Sequence, residues 1–302
     1  MNNAPRSVSD VIDGLASEGY LCDEGLATSI FLALDMHRPL LLEGEPGVGK
    51  TEVAKALSAL TGGEFIRLQC YEGLDVAQAL YEWDYPRQLL HLRAAEAAGS
   101  IDGDVDAVEG ELYSERFLVR RPLLQAIADT HEVPPVLLID EIDRADDEFE
   151  AFLLEVLADH SVTVPELGTF RAAVPPIVII TSNRTRDVHD ALKRRCLYHW
   201  VDHPDLEREI AIVCSKVPGA SVVLARQVAV LTAELRGLGL YKPPGVAETI
   251  DWVQALTSLG RDSLDESSVR ASLGAVVKYR EDAERIERHG LGELIDVAVA
   301  GD

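Results

Sequence analysis

The sequence predicts an α/β fold with a parallel β-sheet, followed by an all-α C-terminal region. Three short apolar runs support the sheet: Leu40 to Leu42, Val136 to Ile139 and Ile177 to Ile180. Each is too short for a helix that buries itself, and Pro, Gly, Asp or Asn lies within a few residues of it. Such runs are typical of strands that are buried on both faces of a parallel sheet. The helix-like stretches Glu52 to Leu60 and Glu148 to Leu157 lie between them and indicate alternating strands and helices.

Two further strands and a helical segment complete the predicted organisation. The runs Phe65 to Cys70 and Cys196 to Val201 alternate more clearly between apolar and polar residues. Pro204 then ends the preceding run, Asp205 is suited to cap a helix, and the pattern remains helical to residue 302. Breaks in this helical pattern occur at Pro218-Gly219, Pro243-Pro244-Gly245 and Gly260. We therefore expect an α/β domain over residues 1–203 and a helical domain over residues 204–302.

Composition excludes several functional classes. Of the 302 residues, 52 are Asp or Glu and 28 are Lys or Arg, which gives a formal net charge of −24. This balance argues against binding DNA or an anionic membrane through bulk positive charge. The four cysteines are widely separated and form neither a CxxC pair nor a zinc-ribbon spacing. The sequence shows no signal-peptide pattern and no apolar run of the length that a membrane helix needs. We therefore expect a cytoplasmic protein with no membrane span.

The strongest motif matches the pattern G-x-x-x-x-G-K-[ST] in full. It follows the predicted strand at Leu40 to Leu42 and directly precedes a helix, which is the context that this phosphate-binding motif requires. Its glycines let backbone N–H groups surround phosphate oxygens, while the Lys reaches the β- and γ-phosphates and the Thr hydroxyl binds Mg²⁺. The predicted ATP-binding residues are Gly44, Glu45, Pro46, Gly47, Val48, Gly49, Lys50 and Thr51.

A second motif follows the apolar run Val136 to Ile139. Asp140 comes at the predicted carboxyl end of this strand, where Mg²⁺ and phosphates would lie. Glu141 follows immediately, and a carboxylate there suits the orientation or deprotonation of a water that attacks the γ-phosphate. The alternative is that both residues merely begin a solvated acidic loop. The Asp-Glu pair favours hydrolysis over phosphoryl transfer to a second substrate.

Two later features are candidate parts of the same site. Asn183 follows the strand Ile177 to Ile180, where its amide would hydrogen-bond both a water and the γ-phosphate. The alternative is an Asx-turn that closes the strand. The basic cluster Lys193-Arg194-Arg195 precedes the fifth strand and suggests an arginine finger supplied to a neighbouring subunit. The alternative is a salt bridge to the acidic loop at residues 143–150.

Together these motifs resemble those of an AAA+ ATPase, a class of P-loop NTPase. Further stretches resemble the MoxR family, and most closely its CoxD-like branch, whose members assist maturation of molybdenum-containing carbon monoxide dehydrogenase. The resemblance covers roughly residues 20–285. The stretches that carry it are Phe65 to Asp75, Tyr81 to Tyr85, Val164 to Gly168, Thr181 to Arg186 and Ala191 to Trp200.

The resemblance implies a five-stranded parallel core with flanking helices, an all-α lid and a ring, usually of six subunits. ATP would lie between neighbours, with Arg195, or else Arg194, supplied in trans. An insertion within about residues 78–118 and a hairpin at about 161–171 would project toward the pore and grip a client. A von Willebrand factor A-domain partner and a molybdoenzyme client are also implied. Many members carry a lid Arg that touches the nucleotide, whereas the window from Lys242 to Thr249 has none.

The leading hypothesis is therefore an ATP-hydrolysing chaperone that remodels a partner protein and assists its metal-cofactor assembly. A motor or loader acting on nucleic acid is the alternative that the net charge disfavours. A P-loop kinase is disfavoured by Glu141 and the Arg cluster. A nucleotide-gated binding switch with little turnover stays open, because sequence does not separate it from an ATPase that its partner activates.

Overall fold

The structure is a computed structural model that describes residues 5–97, 105–127 and 131–300. Strands and helices are numbered separately along the chain. The strands within these residues are β1 Leu40–Glu43, β2 Phe65–Gln69, β3 Tyr81–Trp83, β4 Leu118–Arg120, β5 Val136–Asp140, β6 Ser161–Val164, β7 Gly168–Arg171, β8 Ile177–Ser182 and β9 Leu197–Trp200.

The helices begin with two N-terminal segments for which the sequence analysis made no prediction. The first nine α-helices are α1 Val8–Ser17, α2 Glu24–Asp35, α3 Lys50–Thr61, α4 Val76–Leu80, α5 Tyr85–Ala97, α6 Val105–Leu112, α7 Pro122–Ile127, α8 Asp147–Asp159 and α9 Asp190–Arg195. The C-terminal region contains α10 Leu206–Lys216, α11 Val222–Gly237, α12 Val246–Ser258, α13 Glu266–Ser272, α14 Arg280–His289 and α15 Leu291–Ala300.

The central sheet confirms the predicted fold class. Its five strands are parallel and lie in the order β2-β5-β8-β1-β9. The register pairs Leu42 with Thr181 and Gln69 with Asp140, so the carboxyl ends of the strands meet at one edge. Because ligands of open α/β sheets bind at this edge, the polar residues that follow β1, β5 and β8 are brought to one place.

Helices cover both faces of the sheet. Leu40 and Leu42 point into a core shared with α1, α2 and α3, whereas Leu41 points into a core shared with α7 and α8. Burial on both faces explains why β1 reads as a continuous apolar run rather than an alternating one. The α3 helix, which follows the phosphate-binding motif, is therefore fixed against the sheet by Val53 and Leu57, both fully buried.

The predicted insertion and hairpin both correspond to small antiparallel units. Within residues 78–118 the structure contains β3, which pairs with β4, and the helices α5 and α6. Residues 98–104 of the predicted insertion lie outside the described residues. The hairpin predicted at 161–171 matches β6 and β7, with Val162 paired to Phe170. The Arg120 guanidinium lies 5.9 Å from the Phe170 ring centroid, so a cation–π contact joins the insertion to the hairpin.

The C-terminal helices α10 to α15 form a unit with its own apolar core. Trp252, Val228 and Ile286 are fully buried within it, and the helices are interrupted near each of the predicted breaks. This separate core supports our proposal of a domain boundary near residue 204. Among the residues that the structure describes, no helix combines the length and apolar character required to cross a membrane.

Candidate nucleotide-binding site

The phosphate-binding motif forms a tight loop between β1 and α3. Gly47 and Gly49 have φ values of 82° and 94°, a conformation that side chains disfavour and glycine adopts freely. A Cβ at Gly44 would collide with the carbonyl oxygen of Val201, so the backbone passes close to the residue that follows β9. The three glycines of the motif therefore allow the loop to fold around a ligand while it remains packed against the sheet edge.

Lys50 and Thr51 begin α3 beneath this loop. The Lys50 ammonium is 6% exposed and donates to the carbonyl oxygens of Gly44 and Glu45 at 2.7 and 2.8 Å. Burial lowers the pKa of this ammonium, while the carboxylates of Asp143 and Asp140 act in the opposite direction. A buried cation thus lies directly under the loop, in position to bind the phosphate groups of a nucleotide.

Thr51 faces the predicted metal-binding carboxylate. Its hydroxyl lies 3.1 Å from Oδ1 of Asp140, and the Asp140 side chain is buried at the end of β5. A hydroxyl and a carboxylate side by side are the oxygen ligands that Mg²⁺ accepts beside nucleotide phosphates. The donor chemistry of Thr51 and Asp140 therefore fits Mg²⁺.

Glu141 adopts a left-handed backbone conformation, with φ 56°, which is uncommon outside glycine. Its N–H donates to the Thr181 hydroxyl at 2.9 Å, which fixes this turn to β8. The Glu141 carboxylate lies 3.4 Å from Asn183 Nδ2 and 3.2 Å from Gln69 Nε2. Strained backbone of this kind is often found at functional sites, and here it directs the carboxylate toward the amides of two neighbouring strands.

The loop that carries Asn183 is attached to the loop after β5. Asp143, which is buried, accepts from the N–H of Asn183 at 3.2 Å and from the N–H and hydroxyl of Thr185 at 2.9 and 2.6 Å. The acidic segment after Glu141 is therefore not simply a solvated loop, because one of its carboxylates holds the Asn183 loop in place. Asn183 and Glu141 are brought together as the sequence analysis expected.

Arg194 and Arg195 end α9, away from the phosphate-binding loop of their own chain. Arg195 donates from Nη1 to the carbonyl oxygen of Leu154, and neither arginine lines the nucleotide cavity. Among the described residues, no ion pair joins the Lys193-Arg194-Arg195 cluster to the acidic loop. That alternative is wrong: Arg186, which sequence reasoning did not single out, makes these ion pairs instead, with Asp147 and Glu150.

A cavity of about 330 Å³ extends from the phosphate-binding loop to the C-terminal helices. One wall is the segment from Gly19 to Asp23, and a second wall carries Arg208, Ile212 and Lys216, spaced four residues apart on α10. The two walls touch, because Nη1 of Arg208 lies 3.0 Å from Oδ2 of Asp23. Sequence reasoning missed both walls, although the four-residue spacing on one helix was a signal for the second. A cavity bounded by the phosphate loop and by these walls is suited to a nucleotide, whose base would lie beside the walls.

The C-terminal helices α10 to α15, called the lid below, contribute to the site without an arginine in residues 242–249. Ala247 and Val246, at the start of α12, line the cavity, and Ala247 donates its N–H to the Gly47 carbonyl at 3.2 Å. Lys242 does not line the cavity, and its N–H instead donates to Asp282. Lys242 is therefore not positioned to replace the absent lid arginine, whereas Arg208 and Lys216 are the lid cations that face the cavity.

Two further polar residues reach the site from β2. Arg67 forms an ion pair with Asp140, with Nη2 2.6 Å from Oδ2, and Gln69 donates to Glu141. Sequence reasoning treated this stretch as a strand and as part of the MoxR resemblance, and gave neither residue a role in the site. The signal was the alternation along β2, because Arg67 and Gln69 are two residues apart and so point to the same side of the strand.

Comparison with known proteins agrees with this geometry. The AAA domain (dynein-related subfamily) matches residues 39–196. ATP-dependent zinc metalloprotease FtsH 1 of Sorangium cellulosum is 26% identical over 285 residues, which cover 87% of this chain and 39% of that protein. An uncharacterized protein of Staphylococcus aureus is 26% identical over 177 residues, 57% of this chain and 58% of its own. The chain thus spans less than two thirds of the length of these relatives.

Among solved structures, a mutant of the RuvB protein of Thermotoga maritima has a TM-score of 0.49 with this chain. The two are 16% identical, and the match covers 89% of this chain and 72% of RuvB. A likeness at this level gives no guide to what the chain acts on. The family match includes the phosphate-binding loop, both carboxylates after β5 and Asn183. The chain therefore belongs to the AAA domain family, in its dynein-related subfamily, a family of ATPases.

Proposed function

We propose that this protein is an ATP-hydrolysing chaperone of the MoxR type that remodels a partner protein. One observation carries the enzymatic part of the proposal. Thr51, Asp140, Glu141 and Asn183 converge at the sheet edge beside the phosphate-binding loop, with neighbouring polar atoms 3.1 to 3.4 Å apart. A hydrolytic site needs a phosphate cradle, a metal-binding carboxylate and a second carboxylate to act on water. The phosphate-binding loop provides the first, Asp140 the second and Glu141 the third.

Each residue of the cluster has a distinct proposed role. The backbone N–H groups of residues 44–49 other than Pro46, which has none, and the Lys50 ammonium bind the phosphates, which places the γ-phosphate near Glu141. Thr51 and Asp140 hold Mg²⁺, which neutralises phosphate charge when bound. Glu141 orients and deprotonates the attacking water, and Asn183 positions that water beside the phosphate. Arg195, or else Arg194, acts on the site of a neighbouring subunit.

The remodelling part of the proposal rests on the insertion and the hairpin. Both lie outside the central sheet and are joined by the Arg120–Phe170 contact, so a shift of one is transmitted to the other. Helix α5 of the insertion exposes Tyr85, Leu89 and Leu90, which are 61%, 53% and 69% exposed. Exposed apolar side chains on an arm of a ring would provide a grip on a client protein.

The finer parts of the proposal follow from the MoxR and CoxD-like resemblance. They are a hexameric ring, a von Willebrand factor A-domain partner, a molybdoenzyme client and action in the cytoplasm. A nucleic-acid client is disfavoured by the net charge of −24, because binding to a phosphate backbone depends on basic residues.

The first experiment is the solution mass of the Glu141→Gln variant by light scattering, with and without Mg·ATP. This variant should retain ATP because its phosphate loop is intact, and should hydrolyse it slowly because the water-activating carboxylate is gone. A shift from the 33.0 kDa monomer toward a ring of about six subunits would support the composite site.

The matched control is Lys50→Ala, which should bind no ATP and show no nucleotide-dependent change in mass. ATP affinity equal to wild type in Lys50→Ala would contradict the proposed phosphate site. Turnover equal to wild type in Glu141→Gln would remove Glu141 from the water-activating role. A monomer in both conditions, with ATP bound, would contradict self-assembly of the ring.

A further inference from the structure

The Asp140 carboxylate already accepts a full set of hydrogen bonds from neighbouring side chains. Its Oδ1 atom accepts from the Thr181 and Thr51 hydroxyls at 2.5 and 3.1 Å. Its Oδ2 atom accepts from Nη2 and Nε of Arg67 at 2.6 and 3.1 Å. A carboxylate offers about four lone-pair positions, so the donors around Asp140 saturate it. Since Asp140 is 3% exposed, water does not compete for these positions.

Arg67 is the most easily displaced of these donors. It lies on β2, at the edge of the central sheet, and its side chain is 47% exposed, whereas Thr181 is buried. Thr51 is held in place because it belongs to the first turn of α3. The Arg67 guanidinium, by contrast, reaches Asp140 on a long flexible side chain and would gain hydration on leaving it.

We propose that Arg67 is a counter-ion that competes with a divalent cation for Asp140, so that Mg²⁺-dependent nucleotide binding displaces its guanidinium. The inference rests on the proposed role of Thr51 and Asp140 in holding Mg²⁺. Two cations on one carboxylate repel each other, and the repulsion is substantial because Asp140 is buried. Arg67 therefore weakens cation binding at Asp140, and its removal should strengthen it.

The same guanidinium also controls the second carboxylate. Arg67 donates from Nη2 to the Gln69 Oε1 atom, which turns the Nε2 side of that amide toward Glu141, 3.2 Å away. Displacement of Arg67 from Asp140 therefore disturbs the hydrogen bond that holds Glu141 against β2. Arg67 is in this way a positioning residue that links cation binding at Asp140 to the Gln69–Glu141 hydrogen bond, while Asn183 and Arg144 keep their contacts with the Glu141 carboxylate.

The test measures binding of a fluorescent ADP analogue to the full chain at increasing Mg²⁺ concentration, which requires no turnover. Arg67→Gln should lower the Mg²⁺ concentration for half-maximal enhancement of binding by about three- to tenfold, the range for a partly exposed charge beside a buried one. Arg67→Lys should give a smaller decrease, because an ammonium keeps the charge but not the two-point contact. If Arg67→Gln fails to fold, Arg67→Lys alone carries the test.

The matched control is Arg280→Gln, which also removes an arginine and a surface ion pair, with Glu284, but lies on α14 in the lid. It should leave the Mg²⁺ dependence unchanged. An unchanged or higher Mg²⁺ requirement in folded Arg67 variants would overturn the inference while leaving the nucleotide site intact. Failure of the wild-type chain to bind the analogue at any Mg²⁺ concentration would instead overturn the proposed function.

Discussion

The N–H of Ala247 donates to the carbonyl oxygen of Gly47 at 3.2 Å, so the first turn of the lid helix α12 rests directly on the phosphate-binding loop. Gly245, just before this turn, lies so close to the loop that an added Cβ would be 2.8 Å from the Pro46 carbonyl oxygen. The contact between the lid and the loop is therefore made by backbone atoms. Because of this contact, the position of the lid is coupled to the conformation of the phosphate-binding loop.

Gly245→Ala should weaken nucleotide binding by forcing the lid away from the loop. The φ of Gly245 is −86°, which alanine adopts without strain, so the effect arises from the collision with Pro46 and Gly47. Overpacking of this kind costs about 1–3 kcal/mol, which corresponds to a loss of affinity of roughly 5- to 150-fold. Titration with a fluorescent ATP analogue measures it. Gly274→Ala is the control, because an added Cβ there meets nothing within 4 Å; equal affinity in both variants would contradict the coupling.

The lid's own position depends on a buried ion pair between Glu209 and Arg236. Two hydrogen bonds of 2.7 and 2.8 Å join them, and Arg236 also donates to the Pro244 carbonyl oxygen at 2.7 Å. Glu209 is 1% exposed, so its removal leaves a poorly hydrated guanidinium without a counter-charge. Glu209→Ala should therefore lower the free energy of unfolding by about 3–5 kcal/mol.

Urea denaturation of this variant can be compared with that of Glu207→Ala. Glu207 lies on the same helix as Glu209 and forms a more exposed ion pair with Arg226 of α11, so its loss should change the free energy of unfolding by less than about 1 kcal/mol. Similar losses in the two variants would show that burial does not set the strength of the Glu209 pair.

The sequence was sufficient to predict the sheet because three of its strands are short apolar runs between residues that end strands, and the other two alternate between apolar and polar residues. The predicted strands differ from the observed ones by one or two residues, as at β1, where Glu43 extends the run. The phosphate-binding loop was equally predictable from the sequence, since all of its residues are contiguous. The segment from Gly19 to Asp23 was missed as a cavity wall because it lines a cavity only together with the C-terminal helices, and no local sequence pattern specifies how these segments pack.

Contacts between distant segments were the least predictable part of the site. Arg67 and Asp140 are 73 residues apart in sequence, and their ion pair exists because β2 and β5 are neighbours in the sheet. Likewise, the ion pairs of Arg186 with Asp147 and Glu150 depend on how the loop after β8 lies against α8. The sequence alone does not show whether Arg186 or Arg195 forms the ion pairs with the acidic loop at residues 143–150.

Stability should fall on acidification through His203, which lies near Arg236 and Glu209 of the lid, and through His199 of β9. Burial lowers the pKa of His203, with Arg236 acting in the same direction, and burial also lowers the pKa of His199. Below the ordinary histidine pKa of about 6.5, the unfolded chain binds protons that the folded chain excludes. The free energy of unfolding is therefore fully retained above that pH and decreases as the pH falls toward the folded-state values.

His203→Gln should reduce the slope of the free energy of unfolding against pH by at most about 1.4 kcal/mol per pH unit. Thermal or urea unfolding between about pH 5 and 7.5 measures the slope. His289→Gln is the control, since His289 is exposed at the end of α14 and its loss should preserve the wild-type slope. A slope unaffected by His203→Gln would mean that other groups dominate the acid sensitivity.

Arg195→Ala should abolish ATP hydrolysis and regain part of it when mixed with Lys50→Ala subunits. In its own chain Arg195 lies outside the nucleotide cavity, so any action on phosphate must occur in a neighbour. A subunit with Arg195→Ala keeps an intact phosphate loop, and a Lys50→Ala neighbour would supply the missing arginine. Phosphate release from mixtures of the two inactive variants measures the rescue.

Arg194→Ala is the matched control and should remain active if Arg195 is the finger. If Arg194→Ala rather than Arg195→Ala is inactive and regains hydrolysis when mixed with Lys50→Ala subunits, Arg194 is the finger. If neither variant regains hydrolysis in such mixtures, helix α9 supplies no arginine finger.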